Sequence, residues 1–309
     1  MLNGRSIKFA HLSDIHLMPP TGCRCWWMSE APATQLRQAI AELQGIPDLD
    51  FVVFTGDLVD QADPASFEQF QEIVSQLSVP YYLSVGNHDI DTLRRRQRFD
   101  RSEFVQWCRQ QFAFDLAPTG YVDYSLSPSP GLRLIALDAS IGTFPDPQGL
   151  LRPGQLQWLA EQLTTYAHQW ILLLIHQPPL APLLYRKYRV LPDIALSLRR
   201  LLESHGGVAA VLSGHLHVPK VTLHHHIPYL VAPALIGPVS AFRVIELALA
   251  SGGDYGWLRY HWHPVQALSA SPQPLWHGLV MGKPWDRRGE KRIRIPAAWT
   301  SPLPLISLP

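Results

Sequence analysis

Five short groups of polar residues follow one another along the chain: Asp14-Ile15-His16, Gly56-Asp57, Gly86-Asn87-His88-Asp89, His176 with Gln177-Pro178-Pro179, and Gly214-His215-Leu216-His217. Carboxylates, an amide and imidazoles are the donors from which sites for borderline divalent metals are built, and together these groups supply ligands for two ions. Two metals ~3.5–4 Å apart suit hydrolysis of a phosphate ester, because they can hold a bridging hydroxide and clamp the phosphate oxygens. Mixed oxygen and imidazole ligation favours Mn, Fe, Zn or Co over Mg or Ca, which prefer all-oxygen shells. No thiolate belongs to the set, so the choice among those metals stays open.

Each group directly follows an apolar run that reads as a β-strand: Ile7 to Leu12, Phe51 to Thr55, Tyr81 to Val85, Ile171 to Ile175 and Val208 to Ser213. The donors therefore fall at strand ends, which in an α/β sheet share one edge where distant residues such as Asp14 and His217 can meet. Helical patterns at Thr34 to Gln44, Pro64 to Leu77, Ser102 to Gln111, Pro153 to Thr165 and Asp193 to His205 alternate with the strands, which argues α/β. Strands without intervening helices (Val122 to Leu126 and Leu132 to Asp138, then Val218 to Leu223, Tyr229 to Ala232, Ser240 to Leu249 and Trp257 to Trp262) suggest a second sheet packed on the first. The expectation is a four-layer αββα sandwich with two mixed β-sheets.

The chain has 309 residues, 47% hydrophobic and 17% charged, which is enough for a large core and excludes a disordered chain. A formal net charge of +1 gives no global attraction for a nucleic-acid duplex, and no uninterrupted run of ~18 apolar residues predicts a membrane span. Cys23, Cys25 and Cys108 form no paired framework, and Met1 to Arg5 lead straight into the first strand; both point to a cytoplasmic protein. Residues 1–263 read as one catalytic domain, whereas residues 264–309, rich in Pro and Trp, basic from Lys283 to Arg294 and without periodicity, read as an appended tail.

The full ordered set, with Gly-Asn-His-Asp and Gly-His-x-His each following a strand, resembles the calcineurin-like metallophosphoesterase family, and within it the class III cyclic-nucleotide phosphodiesterases. The resemblance covers roughly residues 5 to 250. It implies that Asp57 is the carboxylate shared between two metals, that Asp14, His16 and His217 complete one site, and that Asn87, His176 and His215 complete the other. Two divalent ions against two carboxylates and one hydroxide leave a positive centre suited to an anionic diester, and the neutral amide of Asn87 preserves that surplus. It also makes His88 the group that hydrogen-bonds phosphate or protonates the leaving oxygen, with Asp89 orienting it or raising its pKa.

The stretch Gly149 to Leu159 further resembles the cyclic-nucleotide branch, which hydrolyses cyclic AMP and cyclic GMP to 5′ monophosphates. Relatives often carry His-His-Pro-Pro where this chain has His176-Gln177-Pro178-Pro179; Gln177 is expected to change what lines the pocket. Trp26 or Trp27 in the loop from Pro19 to Pro32 could stack on a base while Arg24 meets phosphate, or simply cap a local core. The clusters Arg94 to Arg98 and Arg186 to Arg189 could rim the cleft, although such runs are usually solvated faces, and His224-His225-His226 reads as an exposed turn. A small phosphodiester is the expected partner, and self-association is left open. The competing readings are a broad-specificity phosphodiesterase or phosphatase of the same fold and, from another class, a non-catalytic interaction scaffold, against which the intact donor set and His88 argue.

Overall fold

A computed structural model gives the structure of residues 6–19, 32–91, 98–112, 115–141, 147–236, 240–251, 254–265, 281–296 and 299. Two six-stranded sheets carry the fold. The first runs in the order β12 (Arg288–Ile293), β11 (Gly256–Pro264), β10 (Ala241–Leu249), β1 (Ile7–Leu12), β2 (Phe51–Thr55), β3 (Tyr81–Ser84). The second runs β4 (Tyr124–Ser129), β5 (Leu132–Leu137), β6 (Trp170–Ile175), β7 (Val208–Ser213), β9 (Ile227–Val231), β8 (Lys220–His224). Both are mixed, as expected: β1, β2 and β3 are parallel, as are β5, β6, β7 and β9, and the flanking strands are antiparallel.

Strand periodicity sorts side chains into layers. From β1, Ile7 and Phe9 face the second sheet, where they meet Trp170, Leu172, Leu174 and Leu212, while Ala10 and Leu12 face the other way. That outer face is covered by α1 (Pro32–Gln44), α2 (Pro64–Val74) and α3 (Arg101–Gln111) through Leu36, Ile40, Phe67, Phe70, Phe104 and Trp107. On the far side, Ile135, Leu173 and Val211 of the second sheet pack against Leu159 and Leu163 of α4 (Pro153–Thr165) and Leu198 and Leu202 of α5 (Pro192–His205). The order helix, sheet, sheet, helix follows from strands that are apolar on both faces, each of which must be buried. Burial of each such side chain contributes about 1.5–3 kcal/mol.

Helix starts are written locally. Asp63 accepts from the Ser66 amide at 2.9 Å and precedes Pro64 at the first helical position. Asp100 and Glu103 form a reciprocal capping box at α3. Beyond Pro264, where sequence reading finds no element, Pro284–Arg287 forms a short helix, α6, and Arg288–Ile293 pairs with β11 as the edge strand β12. Asp286 ties α6 down by accepting from the Val221 amide at 2.9 Å and from Lys220 at 3.2 Å, and the buried Arg243 guanidinium donates to the Asp286 carbonyl at 2.9 Å. Ile293 and Ile295 enter the inter-sheet core, and Trp299 packs on Trp170 with ring centroids 5.0 Å apart. No helix among the described residues is long and apolar enough to cross a membrane.

Candidate metal centre

All five predicted groups lie just beyond the carboxyl ends of parallel strands, at the edge where the two sheets meet. Backbone bonds join the loops there: the Asp14 amide to Gly56 O at 3.1 Å, Ile15 and His16 amides to Asp57 O at 2.8 and 3.0 Å, and the Gly214 amide to His176 O at 3.0 Å. Asp14, His16, Asp57, His215 and His217 all have left-handed backbone, with φ between 49° and 70°. For non-glycine residues this costs on the order of 1 kcal/mol or more each and persists where surrounding structure enforces it, typically at functional sites. Gly56 and Gly86 allow the loops to approach: a Cβ on Gly86 would lie 2.2 Å from the Asp57 amide nitrogen and from Asp57 Oδ1, and one on Gly56, itself at φ 84°, only 2.7 Å from His176 Nδ1.

The donors converge in two groups. Asp14, His16, Asp57 and His217 bring one donor atom each within 4.8 Å of one another, and so do Asp57, His176 and His215, with Asp57 common to both. Asp57 Oδ2 is the hinge, 3.1 Å from His176 Nε2 and 3.6 Å from His16 Nε2. His217 Nε2 lies 3.3 Å from Asp14 Oδ1. Ring nitrogens face ring nitrogens, His16 Nε2 against His217 Nε2 at 3.2 Å and His176 Nε2 against His215 Nδ1 at 3.1 Å. Two lone pairs aimed at each other at that distance repel unless a proton or a cation lies between them. His215 Nε2, moreover, is buried with no hydrogen-bond partner. This donor set, with carboxylates and imidazoles converging and no thiolate among them, fits divalent metal ions.

The outer contacts fix ring orientation. His176 Nδ1 donates to Thr55 O at 2.6 Å, which leaves Nε2 for the centre, and His16 Nδ1 is paired with Asp60 Oδ1 at 3.2 Å to the same effect. Asp57 Oδ1 accepts from the His88 amide at 2.9 Å, and both Asp14 oxygens accept from the His215 amide at 3.0 Å. Burial opposes ionisation of the carboxylates, but His217 and His176 hold Asp14 down at about 2, and His176 and His88 hold Asp57 well below the carboxylate range. Burial likewise works against a charged His176, yet Asp57 and Asp14 raise that ring to about 9. Burial and the neighbouring His176 push His215 down to about 3.

One expectation is corrected. Asp89 does not touch His88: its carboxylate accepts from the Leu58, Val59 and Gly86 amides at 2.7, 3.1 and 2.7 Å, bracing the two loops from below. Burial and then Asp57 raise it to about 7, whereas the residue holding His88 is Asp60, whose carbonyl accepts from His88 Nδ1 at 2.8 Å. Asp60 was legible only as a second carboxylate three positions after Asp57, and its partner is set by the turn rather than the spacing. Gln177, expected to change what lines the pocket, is buried like His176 before it, and its amide nitrogen approaches Oδ1 of Asn87, the one predicted ligand outside the His and carboxylate groups, at 3.4 Å.

The loop of residues 20–31, with Trp26, Trp27, Cys23 and Cys25, and Arg94 to Arg96 lie outside the described residues. Arg186 and Lys187 are exposed on a 3₁₀ helix, Leu183–Tyr188, above His215. His224 and His225 stand away from the centre, facing Glu203 at 3.4 and 4.0 Å. Asp14, His16, Asp57, His176, His215 and His217 are therefore brought together, with His88 beside His16 at a ring separation of 4.7 Å.

Comparison with known proteins accords with this geometry. The chain is 31% identical over 251 residues to a cAMP/cGMP dual specificity phosphodiesterase of Mycobacterium tuberculosis, covering 80% of this chain and 71% of that one. It is 30% identical over 190 residues to a protein of Arcobacter nitrofigilis named a probable glycerophosphodiester phosphodiesterase, covering 60% and 63% respectively. A dimetal phosphatase from Danio rerio shares the fold at a TM-score of 0.65 and 17% identity, over 84% of this chain and 98% of that one. The profile of the calcineurin-like phosphoesterases matches residues 7–219, the span that holds Asp14, His16, Asp57, His176, His215 and His217, and the chain belongs to that hydrolytic family.

Proposed function

We propose that this protein is a dinuclear metal-dependent phosphodiesterase that hydrolyses 3′,5′-cyclic nucleotides to 5′ monophosphates. The observation that carries the reading is Asp57, a single carboxylate facing two converging groups of donors with His88 alongside. In this reading Asp14, His16, Asp57 and His217 hold one ion, Asp57, Asn87, His176 and His215 hold the other, and the metals are drawn from Mn, Fe, Zn and Co. When bound, such a pair neutralises charge on the phosphate and supplies hydroxide near neutral pH.

The chain's own residues do the rest. Asp60 holds His16 and His88 in fixed tautomers, so that His88 presents Nε2 to the cleft beside the centre. The oxygen of water bonds to phosphorus and releases a proton to solvent, the bond from phosphorus to O3′ breaks, and O3′ takes a proton from Nε2 of the His88 imidazolium, which solvent then reprotonates. An alkoxide leaving group is strongly basic, so a placed proton donor contributes roughly 10²–10⁴-fold in rate. The unpaired, buried Cys108 thiol fits a cytoplasmic setting.

Similarity to a glycerophosphodiesterase supports a second reading, in which open-chain glycerol diesters are the substrate. Enzyme reconstituted with Mn, Fe, Zn or Co and offered cyclic AMP, cyclic GMP, glycerophosphoethanolamine and p-nitrophenyl phosphate decides between them. Turnover of the cyclic nucleotides to 5′ products at the highest efficiency supports the first reading. Turnover of the glycerol diester alone establishes the second.

A further inference from the structure

The described residues expose four large apolar side chains: Tyr188, Leu196, Leu223 and Trp285. Leu196, Leu223 and Trp285 lie on α5, β8 and α6, whereas Tyr188 stands at the metal centre, its ring tilted 51° to that of His215 with centroids 6.0 Å apart. It is 45% exposed. A half-exposed aromatic ring beside a site for phosphate is a feature the hydrolytic chemistry does not use.

Nor does the fold need the ring. The chain just after it is anchored by its backbone: the Gly149 amide donates to Arg189 O at 3.1 Å, the Val190 amide to Pro178 O at 3.2 Å, and the Leu191 amide to Gly149 O at 2.8 Å. The Val190 side chain is buried in the outer helical layer. Gly149 in turn presses on Gln177, where an added Cβ would come within 2.8 Å of the Gln177 Cβ, and Gln177 backs Asn87. A continuous set of contacts thus registers the segment bearing Tyr188 to the metal centre, while the ring itself remains open to solvent. Arg186 and Lys187, exposed on the same turn, add positive charge at the rim.

We propose that Tyr188 is the specificity-determining residue that stacks on the base of the substrate, so that the site selects nucleoside cyclic phosphates over phosphodiesters that lack a base. This rests on the cyclic-nucleotide reading above. Stacking against one aromatic face is sequence-tolerant, because every base has a π surface, so cyclic AMP and cyclic GMP are both accepted. Tyr188 touches the base, not the reacting phosphate, so its loss raises KM and spares kcat.

The test compares full-length, metal-loaded wild type with Tyr188→Ala and Tyr188→Phe on two substrates, cyclic AMP and methyl riboside 3′,5′-cyclic phosphate, which keeps the sugar and the ester but has no base. In Tyr188→Ala the ratio of kcat/KM for cyclic AMP to that for the riboside should fall about tenfold, through KM, and Tyr188→Phe should restore it. Equal losses on both substrates, an unchanged ratio, or failure of the Phe variant to restore it would each overturn the assignment. Wild type that hydrolyses neither cyclic phosphate refutes the cyclic-nucleotide reading and this inference with it. Wild type that hydrolyses both, with a ratio indifferent to Tyr188, refutes only the inference.

Discussion

Raising the pH should tighten metal binding steeply, because the metal-free centre is occupied by a proton. Burial disfavours a charged His176, but Asp57 at 3.1 Å and Asp14 raise the ring to about 9, so near neutrality His176 Nε2 carries a proton where a metal would bind. Below that value each pH unit costs a factor of about ten in apparent affinity, so between about pH 6.5 and 8 the affinity should rise roughly 30-fold. His215 at about 3 and Asp14 at about 2 are already deprotonated over that interval and add nothing; His217, also raised by Asp14 once its burial is overcome, can only steepen the dependence. Titration calorimetry with Zn or Mn in buffers of different ionisation enthalpy should register release of at least about one proton near pH 7. The same proton sets the stability of the metal-free protein. A folded pKa of about 9 against the ordinary 6.5 means stabilisation that is complete below 6.5 and lost as pH rises through 9. That amounts to roughly 3 kcal/mol, or on the order of 5 °C in melting temperature, and the metal-loaded protein should show no such loss. A flat affinity from about pH 6.5 to 8, with no proton released, would refute the placement of His176 in the centre.

Other perturbations separate the parts. Gly86→Ala places a methyl group 2.2 Å from Asp57 Oδ1 and should leave a folded protein with well under half the wild-type metal content by elemental analysis; full loading would show that the loops yield freely. Asp60→Ala removes the carboxylate paired with His16 Nδ1 and should weaken metal binding roughly 10–100-fold, with Asp60→Asn losing less; unchanged affinity would make Asp60 a bystander. Asp89→Ala leaves the Leu58, Val59 and Gly86 amides without their acceptor and should cost about 1–3 kcal/mol for each buried amide left unsatisfied, seen as a lower denaturant midpoint, whereas an orienter of His88 would instead shift the pH–rate profile. Ending the chain at Arg287 removes β12 with Ile293, Ile295 and the Trp299 contact to Trp170; burial of the two isoleucines alone contributes about 3–6 kcal/mol, so the truncated protein should melt well below wild type, and an unchanged melting curve would show the strand to be dispensable.

What sequence alone determined is the chemistry and its setting. Asp14, Asp57, His176, His215 and His217 announce themselves because each follows a short apolar run, and a donor just past a strand in an α/β pattern has one edge to occupy. Helices such as α4 were equally legible, since their caps, prolines and apolar spacing are local. Tertiary structure decided what depends on direction rather than type. Whether Asp60 or Asp89 faces His88 turns on loops with left-handed residues, which redirect side chains in a way that spacing does not encode. The burial of Gln177 behind Asn87 and the exposure of Tyr188 beside His215 belong to the tertiary arrangement, in which Gly149 packs on Gln177 and its backbone bonds to Arg189 and Leu191, all distant from it in sequence. Strand β12 was hidden for a related reason: Arg288 to Ile293 is mostly polar, and an edge strand acquires its identity from pairing with β11, not from its own apolar alternation.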